Sequence, residues 1–220
     1  VLAALKGEIT EPEKCGIEYP KIEMPFEFTI NDNMIQKPLP PAEAQSLQVI
    51  RGSTIVVPQA AEKLPNDLQG RVLLKCGDKI TTDHIMPAGA FLKYRSNVPE
   101  YAKYVFNCFN EPGKPTFAQR GLELKKNGIA GIVVASESYG QGSSREHAAL
   151  CPMYLGVKMI IAKSIERIHK ANLINFALLP AEFENPADYE KISTDDELEV
   201  KNLNDAIKSL DFIVVKDKTQ

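Results

Sequence analysis

Two kinds of apolar spacing organise this chain. Residues 129–135 (IAGIVVA) and 157–162 (VKMIIA) are short runs rich in β-branched residues and bounded by polar or glycine turns. That pattern marks strands buried on both faces. Segments 71–76, 177–181, 197–201 and 211–216 read as further strands, the last two as partners. Helices are predicted over 99–110 and 117–127, separated by Glu111-Pro-Gly-Lys-Pro. A third is predicted from Arg145, with Pro152 placed to shorten it. A fourth, containing Arg167 and His169, follows Ser164, a residue type that caps helix starts. Strands alternating with helices predict an α/β domain.

Residues 1–69 break this rhythm. They hold eight of the fifteen prolines, among them Pro38, Pro40 and Pro41, and show no sustained periodicity. Each proline fixes φ and removes a backbone donor, so the stretch reads as an extended arm or linker preceding a domain over 70–220. Phe26, Phe28, Ile30, Ile50 and the run Ile55-Val56-Val57 are costly to leave in water, which argues for an arm that lies on another surface rather than a disordered tail.

Composition narrows the function classes. With 25% charged residues and a net charge of −3, the chain has no basic field suited to nucleic acid or an anionic membrane. No apolar run approaches the roughly 20 residues that span a bilayer. The start does not read as a signal peptide, and with no initiator Met the chain reads as a segment of a longer polypeptide. Cys15, Cys76, Cys108 and Cys151 are scattered without C-x-x-C spacing, and only three histidines are present. This usage implies reduced thiols, a cytoplasmic location, and no metal site built from this chain alone.

Chemistry concentrates in two loops. Residues 138–149 read Ser-Tyr-Gly-Gln-Gly-Ser-Ser-Arg-Glu-His-Ala-Ala and follow the predicted strand at 129–135. Glycines permit a tight turn, and Ser143, Ser144 and Arg145 then fall at a helix start, where unpaired N–H groups attract anions. The second loop, 77–89 (GDKITTDHIMPAG), gathers Thr82, Asp83 and His84 after another strand, with Arg95 shortly beyond. Taken singly, Asp83 reads as a turn cap, His84 as a hydrogen-bonded structural histidine and Arg95 as a solvated charge.

Together, in this order and separation, the two loops resemble the C-terminal swivelling domain of the aconitase family. Residues 163–169 (KSIERIH), 172–175 (NLIN), 178–180 (LLP) and 185–189 (NPADY) extend the resemblance, and the arm is similar to the segment preceding that domain in single-chain bacterial aconitases. The resemblance implies a three-layer swivelling β/β/α domain with a compact mixed sheet. It implies a hydro-lyase that interconverts citrate and isocitrate through cis-aconitate, with Ser143 as the base. Ser144, Arg145 and Arg95 would bind substrate carboxylates, and Thr82, Asp83 and His84 would support the site. His147 would orient the helix start. A [4Fe–4S] cluster would sit on other domains, which become this chain's partners along with a tri- or dicarboxylic acid substrate. The chain alone would bind no cluster and turn over no substrate. Within the resemblance, an arginine at position 95 and the sequence Thr-Thr-Asp-His favour a tricarboxylic acid, where the corresponding loop of isopropylmalate isomerase small subunits accommodates an apolar substituent.

Other readings stay open at this point. The chain could be the small subunit of a two-chain hydro-lyase such as isopropylmalate or homoaconitate isomerase, although a 69-residue arm argues for a piece of a single-chain enzyme. An RNA-binding module is disfavoured by the acidic charge and the lack of aromatic–basic clustering. A serine hydrolase is disfavoured because Gly142-Ser143-Ser144-Arg145 lacks the second glycine of a nucleophile elbow.

Overall fold

A computed structural model describes residues 1–209 and 212–219. The chain divides into two compact units, Val1–Ile50 and Arg51–Gln220. In the first, α1 (Leu2–Lys6), a 3-10 turn at Glu13–Cys15 and α2 (Pro41–Ala44) bury none of their residues. The remainder of this unit is bends and extended chain, as proline spacing dictates.

The second unit is built on a six-stranded mixed sheet. Its strands are β1 (Leu68–Cys76), β2 (Ala130–Ala135), β3 (Val157–Ala162), β4 (Leu179–Glu182), β5 (Glu197–Val200) and β6 (Val215–Asp217). They lie in the order β4-β3-β2-β1-β5-β6. The first four run parallel, while β5 pairs antiparallel with both β1 and β6. This is the α/β class that the alternation predicts, with the compact mixed sheet that the resemblance implies.

Strand alternation sorts side chains between two cores. Val133 and Ala135 of β2 and Val157, Ile160 and Ala162 of β3 pack into one apolar cluster together with Ala118, Ala148, Ala149 and Leu173. Those four come from α5 (Phe117–Lys126), α6 (His147–Tyr154) and α7 (Arg167–Asn175). Ile132, Val134, Met159 and Ile161 face the other way, into a cluster with Leu198, Leu203 and, at its margin, Phe183 and Tyr189. Leu203 opens α8 (Leu203–Ser209). Period-two burial on both faces explains why these strands read as continuous apolar runs.

Several local expectations shift. The helix predicted over 99–110 is broken into a short α4 (Val98–Tyr101) and 3-10 turns at Ala102–Tyr104 and Asn107–Phe109. Burial overrides propensity there: Val105 is extended, Phe106 is left-handed at φ 51, and both side chains are fully buried. The Phe106 N–H is also spent on the Ile85 carbonyl. The helix predicted from Arg145 begins at His147, because the Arg145 N–H bonds the Ser143 carbonyl in a turn first, and it runs through Pro152 to Tyr154. Ser164 does not cap α7; Glu166 is its N-cap residue, while Ser164 Oγ accepts from the Ser138 N–H and donates to Glu137. Ala177 is left-handed, so β4 starts at Leu179. The strand predicted over 211–216 is observed as Val215–Asp217, and Asp211 lies outside the described residues.

The sheet brings the informative loops together. Loops leaving the carboxyl ends of β1, β2 and β3 are laced edge to edge: the Lys79 N–H bonds the Glu137 carbonyl, Tyr139 N–H the Ser164 carbonyl, and Glu166 N–H the Tyr139 carbonyl. Ligands of open parallel sheets bind at this edge.

Candidate active site

The loop after β1 winds into α3 (Thr82–Ile85) through a reciprocal cap. Thr81 Oγ1 accepts the His84 N–H at 3.2 Å, and His84 Nδ1 accepts the Thr81 N–H at 3.0 Å. Because Nδ1 is an acceptor, the neutral imidazole carries its proton on Nε2. Asp83 points outward, and its Oδ1 accepts from the Ala88 N–H at 3.3 Å and from Arg145 Nη1 at 2.7 Å. The Arg145 guanidinium holds the Asp83 carboxyl below its ordinary range.

The serine turn after β2 is strapped to this loop by backbone. The Ile80 carbonyl accepts the N–H groups of both Gly140 and Gln141, at 2.7 and 3.1 Å, and the Thr82 N–H bonds the Gln141 carbonyl at 2.8 Å. The Gly140 and Gln141 amides are thereby committed to the loop after β1. Ser143 and Ser144 are exposed, and Thr82 is buried.

Arg145 is the junction. Its Nη1 donates to Asp83 Oδ1, to the Met86 carbonyl at 2.6 Å and, more weakly, to the Thr82 carbonyl at 3.4 Å. Its Nη2 donates towards Ser143 Oγ at 3.5 Å. One end of the guanidinium is therefore committed to the β1 loop, and the other faces the serine hydroxyl. Arg95 follows a 3-10 helix, Gly89–Tyr94, with its side chain exposed. It joins the serine turn through its backbone, since His147 Nε2 lies 2.9 Å from the Arg95 carbonyl.

Ser143 also borders a cavity of about 220 Å³ shared with Gly142, Glu166, His169 and Asn172. His169, fully buried, packs beneath Gly140: a Cβ there would meet the imidazole at 2.3 Å. Neither the His147 link nor the His169 platform has a spacing signal in the sequence, and the Ile80 carbonyl, a backbone atom, has none of any kind.

Two of the four thiols, those of Cys76 and Cys151, do not suit an iron–sulfur cluster. Cys76 and Cys151 are buried, and burial pushes each thiol up to about 12, away from the thiolate such ligation needs. Among the described residues, no three His, Cys, Asp or Glu side chains converge as a metal site.

An exposed serine thus stands beside a guanidinium, on a turn at the carboxyl ends of the parallel strands. Residues 94–186 match the family described as the aconitase C-terminal domain. The chain carries an aconitase C-terminal domain. A probable mitochondrial aconitate hydratase of Dictyostelium discoideum is 39% identical over 87% of this chain and 27% of its own length. A mitochondrial homocitrate dehydratase of Saccharomyces cerevisiae is 40% identical over 64% of the chain and 20% of its length. A solved 3-isopropylmalate dehydratase of Methanocaldococcus jannaschii matches 69% of this chain and 82% of its own at 28% identity and TM-score 0.48.

The chain spans about a quarter of the length of the curated relatives it matches. Aconitate hydratases are hydro-lyases. The cytoplasmic expectation is overturned, because the matching aconitate hydratases are named mitochondrial. Scattered reduced thiols report a reducing environment rather than an address, and targeting segments are removed from mature proteins.

Proposed function

We propose that this domain supplies the proton-accepting serine and the carboxylate-holding cations of an aconitate hydratase, and that the rest of the enzyme supplies a [4Fe–4S] cluster. The observation that carries the reading is the exposed Ser143 Oγ facing Arg145 Nη2 at 3.5 Å. As its alkoxide, its own proton already released to solvent, Ser143 takes a proton from the substrate carbon next to a carboxylate, and hydroxide leaves the neighbouring carbon to form the double bond of cis-aconitate. The bound cluster supplies Lewis acidity for that departure.

A serine hydroxyl is a very weak acid, so its oxyanion needs fixed positive charge. Arg145 Nη2 supplies it, and the contact tightens as charge develops, since charge-assisted bonds are shorter and stronger than neutral ones. Asp83 and the Met86 carbonyl prevent the guanidinium from swinging away. Ser144 and the exposed Arg95 fork hold substrate carboxylates, a task suited to the planar, bidentate guanidinium. Thr82, Asp83 and His84 shape the loop that orients these groups.

The 40% identity to a homocitrate dehydratase supports a second reading of the substrate, a tricarboxylic acid one methylene longer. The test uses the full-length protein with its cluster reconstituted, assayed on citrate, isocitrate and homocitrate. Ser143→Ala is expected to lower kcat by about a thousandfold or more and leave KM within about threefold. Full turnover by that variant removes Ser143 as the base. Turnover of homocitrate in preference to citrate replaces the substrate.

A further inference from the structure

We infer that His147 is a positioning residue that fixes Arg95 against the serine turn, and thereby sets the spacing of carboxylates the site accepts. The inference rests on the proposed function of the same site, and deepens it.

The geometry is specific. His147 is the first residue of α6, two positions after Arg145 and four after Ser143. Its Nε2 lies 2.9 Å from the carbonyl of Arg95, 52 residues away in sequence. A carbonyl only accepts, so Nε2 carries the proton and donates. Among the described residues, the imidazole makes its hydrogen bond to this carbonyl and not to its own helix. It leans on the ring of Tyr101, centroids 5.4 Å apart and tilted by 57°. Tyr101 is itself fully buried, and its hydroxyl donates to the Pro87 carbonyl at 2.9 Å. The ring is thus held from behind while its polar edge holds a distant loop.

That loop is held partly by rings, with Phe91 and Tyr94 stacked on Tyr104 at 4.1 and 5.8 Å between centroids, while the hydrogen bonds beside Arg95 are few. The Arg95 N–H bonds the Leu92 carbonyl and the Asn97 N–H the Tyr94 carbonyl, both within the same turn. From outside it, the Val56 N–H reaches the Ser96 carbonyl, and His147 reaches Arg95. The Arg95 side chain is exposed and, among the described residues, meets no carboxylate. An unpaired fork on a loop tied to α6 is ready for an anion, at a distance from Arg145 fixed by the tie.

Two cations on separate segments select a ligand by the distance between its charges, and they do so only if their own separation is fixed. Loosening one fork costs the binding of its carboxylate and relaxes discrimination by length. Proton removal at Ser143, which depends on Arg145 and the serine turn, is affected much less. A helix-stabilising role would instead change stability and leave that discrimination alone.

The experiment uses the full-length, cluster-reconstituted enzyme with His147→Phe and His147→Gln, assayed on citrate and homocitrate. Phenylalanine keeps the ring against Tyr101 and removes the donor; glutamine restores a donor. His147→Phe is expected to raise KM for citrate about tenfold, keep kcat within about threefold, and narrow the citrate-to-homocitrate ratio of kcat/KM. His147→Gln is expected to recover most of both losses. Parent KM and parent selectivity in His147→Phe overturn the inference, as does a His147→Gln enzyme no better than the phenylalanine variant. Should phenylalanine disrupt α6, His147→Leu carries the same comparison. Absence of turnover by the unaltered enzyme would instead sink the reading of the site itself, before any variant is compared.

Discussion

Arg145 Nη1 and Asp83 Oδ1 stand 2.7 Å apart, joining the loop after β1 to the turn after β2 across the edge of the sheet. The pair is asymmetric: the arginine side chain is only 16% exposed and the aspartate 66%. Solvent screening makes such a pair worth little in stability, within about 1 kcal/mol. Its value lies in direction, because it leaves Nη2 facing Ser143 Oγ.

Replacing Asp83 with Ala should therefore separate folding from chemistry. We expect a stability loss within about 1 kcal/mol by urea titration, and a fall in turnover of about tenfold or more in the full-length enzyme. A variant with parent turnover would show that Arg145 keeps its aim without the carboxylate. The arginine lowers the Asp83 pKa, so the pair's contribution is present above the ordinary aspartate range and is lost as pH falls below it.

Gly140 carries the second expectation. Its φ of +87 is left-handed, and an added Cβ would sit 2.3 Å from two His169 ring atoms and 2.5 Å from the His169 Cβ. Backbone strain and overpacking act together, so Gly140→Ala should cost about 2–4 kcal/mol in chemical denaturation. Gly142 has φ +112 but meets nothing nearer than Thr82 Oγ1 at 3.4 Å. Gly142→Ala should cost less, about 1–2 kcal/mol, from strain alone. Equal losses at both positions would contradict the packing of His169 under the turn.

How much of this was legible beforehand follows from what each feature rests on. The strands at 129–135 and 157–162 are visible because burial on both faces leaves only apolar residues, and the observed β2 and β3 fall within those runs. The helix predicted over 117–127 is observed as Phe117–Lys126, opened by a reciprocal cap between Thr116 and Gln119. The 99–110 stretch is misleading, because its apolar spacing serves a deep contact of Phe106 rather than a continuous helix. At the site, the two loops are marked by their own residues. Their lacing through the Ile80 carbonyl and the reach of His147 to Arg95 depend on backbone atoms brought close by the sheet, and no local residue pattern encodes that.

Thiol chemistry offers a third check on the packing. Burial pushes Cys76 and Cys151 up to about 12, so each is protonated and shielded at pH 8. Cys108 is exposed, with its Sγ donating to the His84 carbonyl at 3.6 Å. Iodoacetamide at pH 8, read by peptide mass spectrometry, should leave Cys76 and Cys151 unmodified until denaturant is added. Modification of either in the folded chain would mean that the helix-side core opens on the labelling timescale.

His169 gives the fold an acid limit. Its ring is buried, neither nitrogen has a protein partner among the described residues, and burial lowers its pKa from 6.5 to about 4. Between those values the unfolded chain binds a proton that the folded chain does not, so stability rises with pH through the window. The contribution is complete above about pH 6.5 and is lost as pH falls towards about 4, a difference of roughly 3 kcal/mol at 1.36 kcal/mol per unit. Urea midpoints measured from pH 7 to pH 4 should fall along this course. In His169→Phe the slope belonging to this group should vanish, whatever the variant's absolute stability, because a phenyl ring has no proton to gain. A parent-like slope in that variant would assign the acid sensitivity to other groups and would place the imidazole where water already reaches it.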